Sequence, residues 1–161
     1  MVRTFSDIRG FAFVTAQVVL LAAFIVLPEW RPEESGNFFY ASKPFRQIIL
    51  VLFEFAALVM GLAGAYGIRK FITPFPKPVE HNELVTTGLY ALVRHPLYGS
   101  ILSAGTGWAL YNCSIPHMLM MIGAMAFFSF KAGYEETLLQ ERHPEYSEYR
   151  KHTKKFFPFI Y

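Results

Sequence analysis

The chain has 161 residues, of which 53% are hydrophobic, 17% aromatic and 17% charged, with a formal net charge of +3. That length predicts a single domain over residues 1–161, and the apolar excess excludes an ordinary soluble globule. Four apolar runs carry the excess, so the expected fold class is an all-α integral membrane protein with four transmembrane helices.

The first run, about 10–28, has only Thr15 and Gln17 as polar residues. Its length and the lack of a small-residue cleavage pattern after it lead one to expect a membrane helix rather than a signal peptide. The loop after it, Glu29 to Phe45, is mixed in charge and carries Phe38, Phe39, Tyr40 and Phe45, residues suited to a membrane interface. The second run, about 47–68, contains one acid, Glu54, which is costly at membrane depth. Either a functional role or a hydrogen bond to a neighbouring helix accounts for it. Ala57, Gly61 and Ala65 form a small-residue stripe that predicts close helix packing.

Next comes "RKFITPFPKPVEHNELVTTGLY", where Pro74, Pro76 and Pro78 rule out a continuous helix. The third run, about 96–112, repeats the small-residue device at Gly99, Ser103 and Gly107. Only Asn112, Cys113 and Ser114 separate it from the fourth, about 115–134, which predicts a tight antiparallel hairpin. A C-terminal amphipathic segment follows. The single cysteine, Cys113, has no disulfide partner in the chain and reads as a packing residue.

With the N-terminus in the cytosol, Arg3, Arg9, Arg69, Lys70, Lys77, Arg94, Lys131, Arg142, Arg150, Lys151, Lys154 and Lys155 fall inside. Only Arg31, Lys43 and Arg46 fall outside. This positive-inside bias places both termini in the cytosol. It also explains the basic residues by topology and anionic lipid, with no nucleic acid required.

Polar chemistry gathers where the third helix begins. In "YALVRHPLYG", Pro96 suits a first helical turn, which puts His95 at the N-cap, Arg94 just outside and Tyr98 one turn in. The free N–H groups and Arg94 suit a carboxylate or phosphate. A plain basic membrane anchor is the alternative reading. The fourth helix ends in "YEETLLQ", whose acids Glu135 and Glu136 oppose the helix dipole if the helix stops there, an objection that weakens if the helix continues through Gln140. The hairpin brings these acids beside Arg94, His95 and Tyr98 at one cytosolic pole. A ligand with a carboxylate and positive groups would match that pole, and S-adenosyl-L-methionine is one such ligand. Tyrosine faces also favour its sulfonium.

The segment "LVTTGLYALVRHPLYGSIL" resembles the signature of the isoprenylcysteine carboxyl methyltransferase and phospholipid methyltransferase superfamily. These are membrane enzymes that use S-adenosyl-L-methionine. The likeness is carried by Leu84, Val85, Thr86, Gly88, Tyr90, Arg94, His95, Pro96, Tyr98 and Gly99, then by Glu135, Glu136, Leu139, Tyr146 and Tyr149. The chain departs from the pattern at Leu89, where proline is frequent, and at Lys154 and Lys155, near an expected arginine.

The resemblance implies cofactor binding by Val85, Thr86, Gly88, Tyr90, His95, Tyr98, Glu135 and Glu136, with catalytic roles for Arg94 and His95. It implies no metal, and a lipophilic methyl acceptor drawn from membrane lipid at the inner leaflet, an isoprenylcysteine-type carboxylate or a phospholipid amine. Methylation of a small thiol, an NADPH-dependent reductase, a glutathione-using membrane enzyme and a non-enzymatic scaffold are the rival readings.

Overall fold

The structure, a computed structural model, describes residues 2–31, 36–69 and 83–161, with side chains of the first helix from Ile8 onward. Pro74, Pro76 and Pro78, the loop charges Lys70 and Lys77, and the Arg3 side chain lie outside the described residues.

Every regular element among the described residues is helical. In chain order these are α1 (Val2–Val26), α2 (Gly36–Ala41), α3 (Lys43–Gly67), a 3-10 turn (Gly88–Ala91), α4 (Pro96–Tyr111), α5 (Ile115–Arg142) and α6 (Tyr146–His152). Three helical stretches are long and apolar enough to cross a membrane: Ile8–Val26, Lys43–Gly67 and Ile115–Arg142. At 16 residues α4 is about 24 Å long, short of a full hydrocarbon core.

Proline lies in the first turn of α3, α4 and α5, where its missing N–H breaks no helical hydrogen bond. The fourth apolar run, about 115–134, belongs to a longer helix: α5 continues through Arg142, two residues past the extension to Gln140 that the sequence allows. "EETLLQER" contains no helix breaker, and the helix stops only at His143, held extended before Pro144. Glu135 and Glu136 are therefore interior to α5, and the objection from the helix dipole does not apply to them.

Helices α3 and α4 pack closely through small residues. A side chain added at Gly64 would stand 2.9 Å from the Pro96 ring, and one at Gly107 would stand 2.7 Å from Phe53 Cβ. Ala57, Gly99, Ser103 and Gly107 are all buried. Asn112, Cys113 and Ser114 then join α4 to α5. Cys113 takes a left-handed conformation (φ 49°) in that turn, with its thiol directed at the Leu110 carbonyl. Next to it, buried His117 ties α5 to α1: Nδ1 meets Ser114 Oγ at 2.6 Å and Nε2 meets the Phe24 carbonyl at 3.2 Å.

The core joins α4, α5 and the C-terminal segment through Leu102, Ala124, Phe128, Ala132 and Phe156. That segment is stitched to the strand-like residues before α4. Lys154 N–H donates to the Leu92 carbonyl, Arg94 N–H to that of Lys154, and His95 N–H to that of Lys155, all at 2.9–3.0 Å. Phe156, fully buried, has its carbonyl where a side chain on Gly99 would have to go. Only glycine permits this approach, so the end of the chain is packed onto the first turn of α4. Outward faces of α1 and α3 remain apolar and exposed, as lipid-facing surfaces are, with Val18, Val19, Phe55, Leu58 and Leu62 among them.

Candidate functional site

His95 is the N-cap residue of α4, yet its side chain makes no cap hydrogen bond. Its ring instead reaches α5, with Nε2 3.1 Å from Glu136 Oε1 and Nδ1 3.6 Å from Glu135 Oε2. One turn along, the Tyr98 hydroxyl donates to Glu135 Oε1 at 2.6 Å. The His95 and Tyr98 rings are stacked 5.5 Å apart, and Phe128 stacks on Tyr98 at 4.9 Å. Because residues 95 and 98 share one helical face, as do 128, 131 and 135, a single contact between α4 and α5 aligns all of them.

Arg94 is the hub of the second half of the cluster. Its Nε donates to Glu136 Oε1 at 2.9 Å, and its Nη1 donates to the Thr153 carbonyl and, at 3.3 Å, to that of Arg150. Arg150 Nε stands 3.5 Å from the other Glu136 oxygen. The side chains of Arg94 and Glu136 are 8% and 3% exposed, so this is a buried ion pair. Such a pair is stable only when its hydrogen bonds are nearly complete, and here they are. Glu135 differs: at 16% exposed, it keeps acceptor capacity toward the surface.

Two residues that the sequence reading missed complete the pole. Lys131, counted there only as a cytosolic charge, is buried one turn before Glu135. It donates to Gln17 of α1 and lies 5.0 Å from the Tyr98 ring centroid. A cation inside an apolar run was the available signal. Arg150 left no such signal, because it arrives through the fold of the C-terminal segment.

The other expected residues take different places. Tyr90 is buried, with its hydroxyl donating to the Gly64 carbonyl of α3 at 3.3 Å and its own carbonyl accepting from Tyr149 at 2.6 Å. Thr86 and Gly88 are exposed, Val85 is half-buried, and no hydrogen bond among the described residues ties them to the cluster. Gly88 has φ +63°, which glycine allows at the start of the 3-10 turn.

Burial pushes the Tyr149 phenol up to about 12, with Arg94 opposing and Glu136 adding to the effect. Burial also raises Tyr146, which feels the Glu136 charge. Among the described residues the buried Tyr146 hydroxyl has no hydrogen-bond partner, an orphan beside an otherwise satisfied network. Among the described residues no group of three or more His, Cys, Asp or Glu is placed to hold a metal ion.

Helices of membrane-crossing length around a buried polar pole define an integral membrane protein with a polar site at one helix end. The phospholipid methyltransferase family model matches residues 45–146, most of the chain and both halves of this pole. The chain belongs to that family.

Over 83 residues it is 31% identical to protein-S-isoprenylcysteine O-methyltransferase B of Arabidopsis thaliana, covering 50% of this chain and 42% of that protein. It is equally similar to a probable protein-S-isoprenylcysteine O-methyltransferase of Oryza sativa subsp. indica, covering 50% and 44%. Over 81 residues it is 33% identical to the nickel-cobalt-cadmium resistance protein NccN of Alcaligenes xylosoxydans xylosoxydans, covering 49% and 38%. The matched regions span less than half the length of these curated relatives. No solved structure matches the chain.

Proposed function

We propose that this chain is an S-adenosyl-L-methionine-dependent methyltransferase acting on a lipophilic acceptor at the inner leaflet. The acceptor group is an isoprenylcysteine-type carboxylate or a phospholipid amine. Four spans serve this reading, with α4 the short third one, α4 and α5 a hairpin, and both termini and the polar pole in the cytosol. The positive-inside pattern supports that orientation. The observation that carries the reading is the joining of the two family motifs into one buried network, Arg94–His95–Glu136 and Tyr98–Glu135.

The residues at the pole fit the cofactor. Glu135 retains acceptor capacity, Lys131 supplies a cation, the Tyr98 and His95 rings offer aromatic surface, and the orphan Tyr146 hydroxyl lacks a partner. In this reading His95, Tyr98, Glu135 and Glu136 form the binding wall, with Tyr90 behind it and Val85, Thr86 and Gly88 contributing backbone at its border. When bound, S-adenosyl-L-methionine supplies a sulfonium methyl open to in-line displacement.

Arg94 holds Glu136 and the C-terminal segment in place, so it keeps the wall aligned, and alignment is the main requirement of such a displacement. For an amine acceptor, His95 takes the proton at Nδ1, the nitrogen with the looser 3.6 Å contact, while Nε2–H stays on Glu136 and Glu135 stabilises the imidazolium that results. A carboxylate acceptor needs no base. The apolar faces of the bundle exclude water and admit lipid.

The test uses purified full-length protein in lipid nanodiscs, given methyl-labelled cofactor and a lipid extract, with products identified by mass spectrometry. A labelled carboxylate ester or methylated headgroup that disappears in Glu135→Gln is the expected result. Absence of both cofactor binding and labelled product overturns the proposal, and a labelled small thiol moves the acceptor to the thiol class.

A further inference from the structure

Glu54 has no role in the polar pole, and its position is physically awkward. It is the twelfth of the 25 residues of α3. That places it roughly 16 Å from the nearer helix end, far beyond the reach of a glutamate side chain toward water. The sequence reading allowed a hydrogen bond to a neighbouring helix. The structure provides none: Glu54 is exposed on the outer side of α3 and has no polar partner among the described residues. The buried side of α3 is a different one, formed by Arg46, Ala57, Met60 and Gly64.

An apolar face of a membrane helix is explained by lipid, but a carboxyl group on that face is not. Gln47, Val51, Glu54 and Leu58 recur at the spacing of one helical face, and all four are exposed. That face therefore presents a carboxyl and, seven residues earlier, a carboxamide, and its one basic group, Lys43, stands at the helix end roughly 16 Å from Glu54, too far to pair with it. A carboxyl group both donates and accepts, so two copies placed across a two-fold axis satisfy one another reciprocally with no cation required. We propose that this chain forms a homodimer in the membrane through the α3 face centred on Glu54, with Glu54 of each copy hydrogen-bonded to its counterpart. The polar pole, which rests on α4 and α5, stays clear of this contact.

The test uses the full chain in native membranes with Cys113→Ser, so that each added cysteine is the sole one. Oxidative crosslinking of Leu58→Cys and Val51→Cys is expected to give a covalent dimer. Leu52→Cys, equally lipid-exposed but about 160° round the helix, is expected to give none. These arms keep Glu54 itself unchanged, so they stand even if a Glu54 variant folds poorly. Within the Leu58→Cys background, Glu54→Gln is expected to keep the dimer, because an amide also donates and accepts. Glu54→Leu is expected to weaken association about tenfold.

Equal crosslinking at Leu52 and Leu58, no crosslinked dimer at either Leu58 or Val51, crosslinks only to another protein, or an unweakened dimer in Glu54→Leu each overturn the proposal. None of these readouts depends on methyl transfer, so failure here and failure of the enzymatic reading are separable.

Discussion

Removing the Glu136 carboxylate tests whether the buried ion pair supports the fold, the cofactor wall or both. In Glu136→Ala, Arg94 keeps its contacts with the Thr153 and Arg150 carbonyls but loses the acceptor 2.9 Å from its Nε, and His95 Nε2 loses its partner at 3.1 Å. Arg94 is then a nearly buried cation without a counter-charge, a change that costs about 3–5 kcal/mol. For a chain of this size that corresponds to roughly 6–20 °C in the unfolding midpoint. The loss is concentrated where Arg94 clamps the C-terminal segment.

The assay is thermal unfolding in detergent, combined with hydrogen exchange of residues 150–157. The expected outcome is a lowered midpoint and faster exchange in that segment. A companion variant, Arg94→Met with Glu136→Leu, replaces both charges with apolar groups. It is expected to recover most of the stability while cofactor binding stays lost. If Glu136→Ala leaves both midpoint and exchange unchanged, the network is not the clamp described above. If the double variant binds cofactor normally, Glu136 has no part in the wall.

Tyr98→Phe removes the 2.6 Å hydrogen bond to Glu135 and leaves the ring stacking intact. Cofactor affinity is expected to fall about tenfold with little change in melting, as isothermal titration and thermal unfolding together would reveal. Gly99→Ala forces a methyl group against the Phe156 carbonyl and is expected to destabilise by about 1–3 kcal/mol. Gly123→Ala meets nothing within 4 Å and should be neutral or stabilising by up to about 1 kcal/mol. For Tyr149, the folded state holds its proton more tightly than the unfolded chain. Its contribution is therefore fully present below about pH 10 and lost as pH rises toward about 12. Denaturant melts across that range should show stability falling with pH, and less steeply in Tyr149→Phe.

The helical membrane class and the pairing of "RHPLYG" with "YEETLL" were legible before any coordinates. Both follow from local facts: apolar runs of membrane length, a proline that starts a helix, and a three-residue link between two helices. Local chemistry also set the end of α5, since nothing in "EETLLQER" stops a helix and Pro144 does. The apolar run ends sooner, at about residue 134, because the helix carries charged residues beyond its membrane-length stretch.

The roles within the pole depended on three-dimensional partners. Glu135 and Glu136 are neighbours in sequence with the same chemistry, yet one keeps free acceptor capacity and the other is enclosed by Arg94, His95 and Arg150. The difference comes from the C-terminal segment folding back over Gly99, a contact between residues more than fifty apart. Tyr90 was set against α3, Lys131 against Gln17, and Glu54 on an open face by the same kind of long-range packing. Sequence by itself determined which groups this membrane protein carries and at which helix ends they gather, because periodicity and helix termini are local. Tertiary structure alone decided which charges are neutralised and which stay available, because that depends on the facing helix, and a facing helix has no local signature.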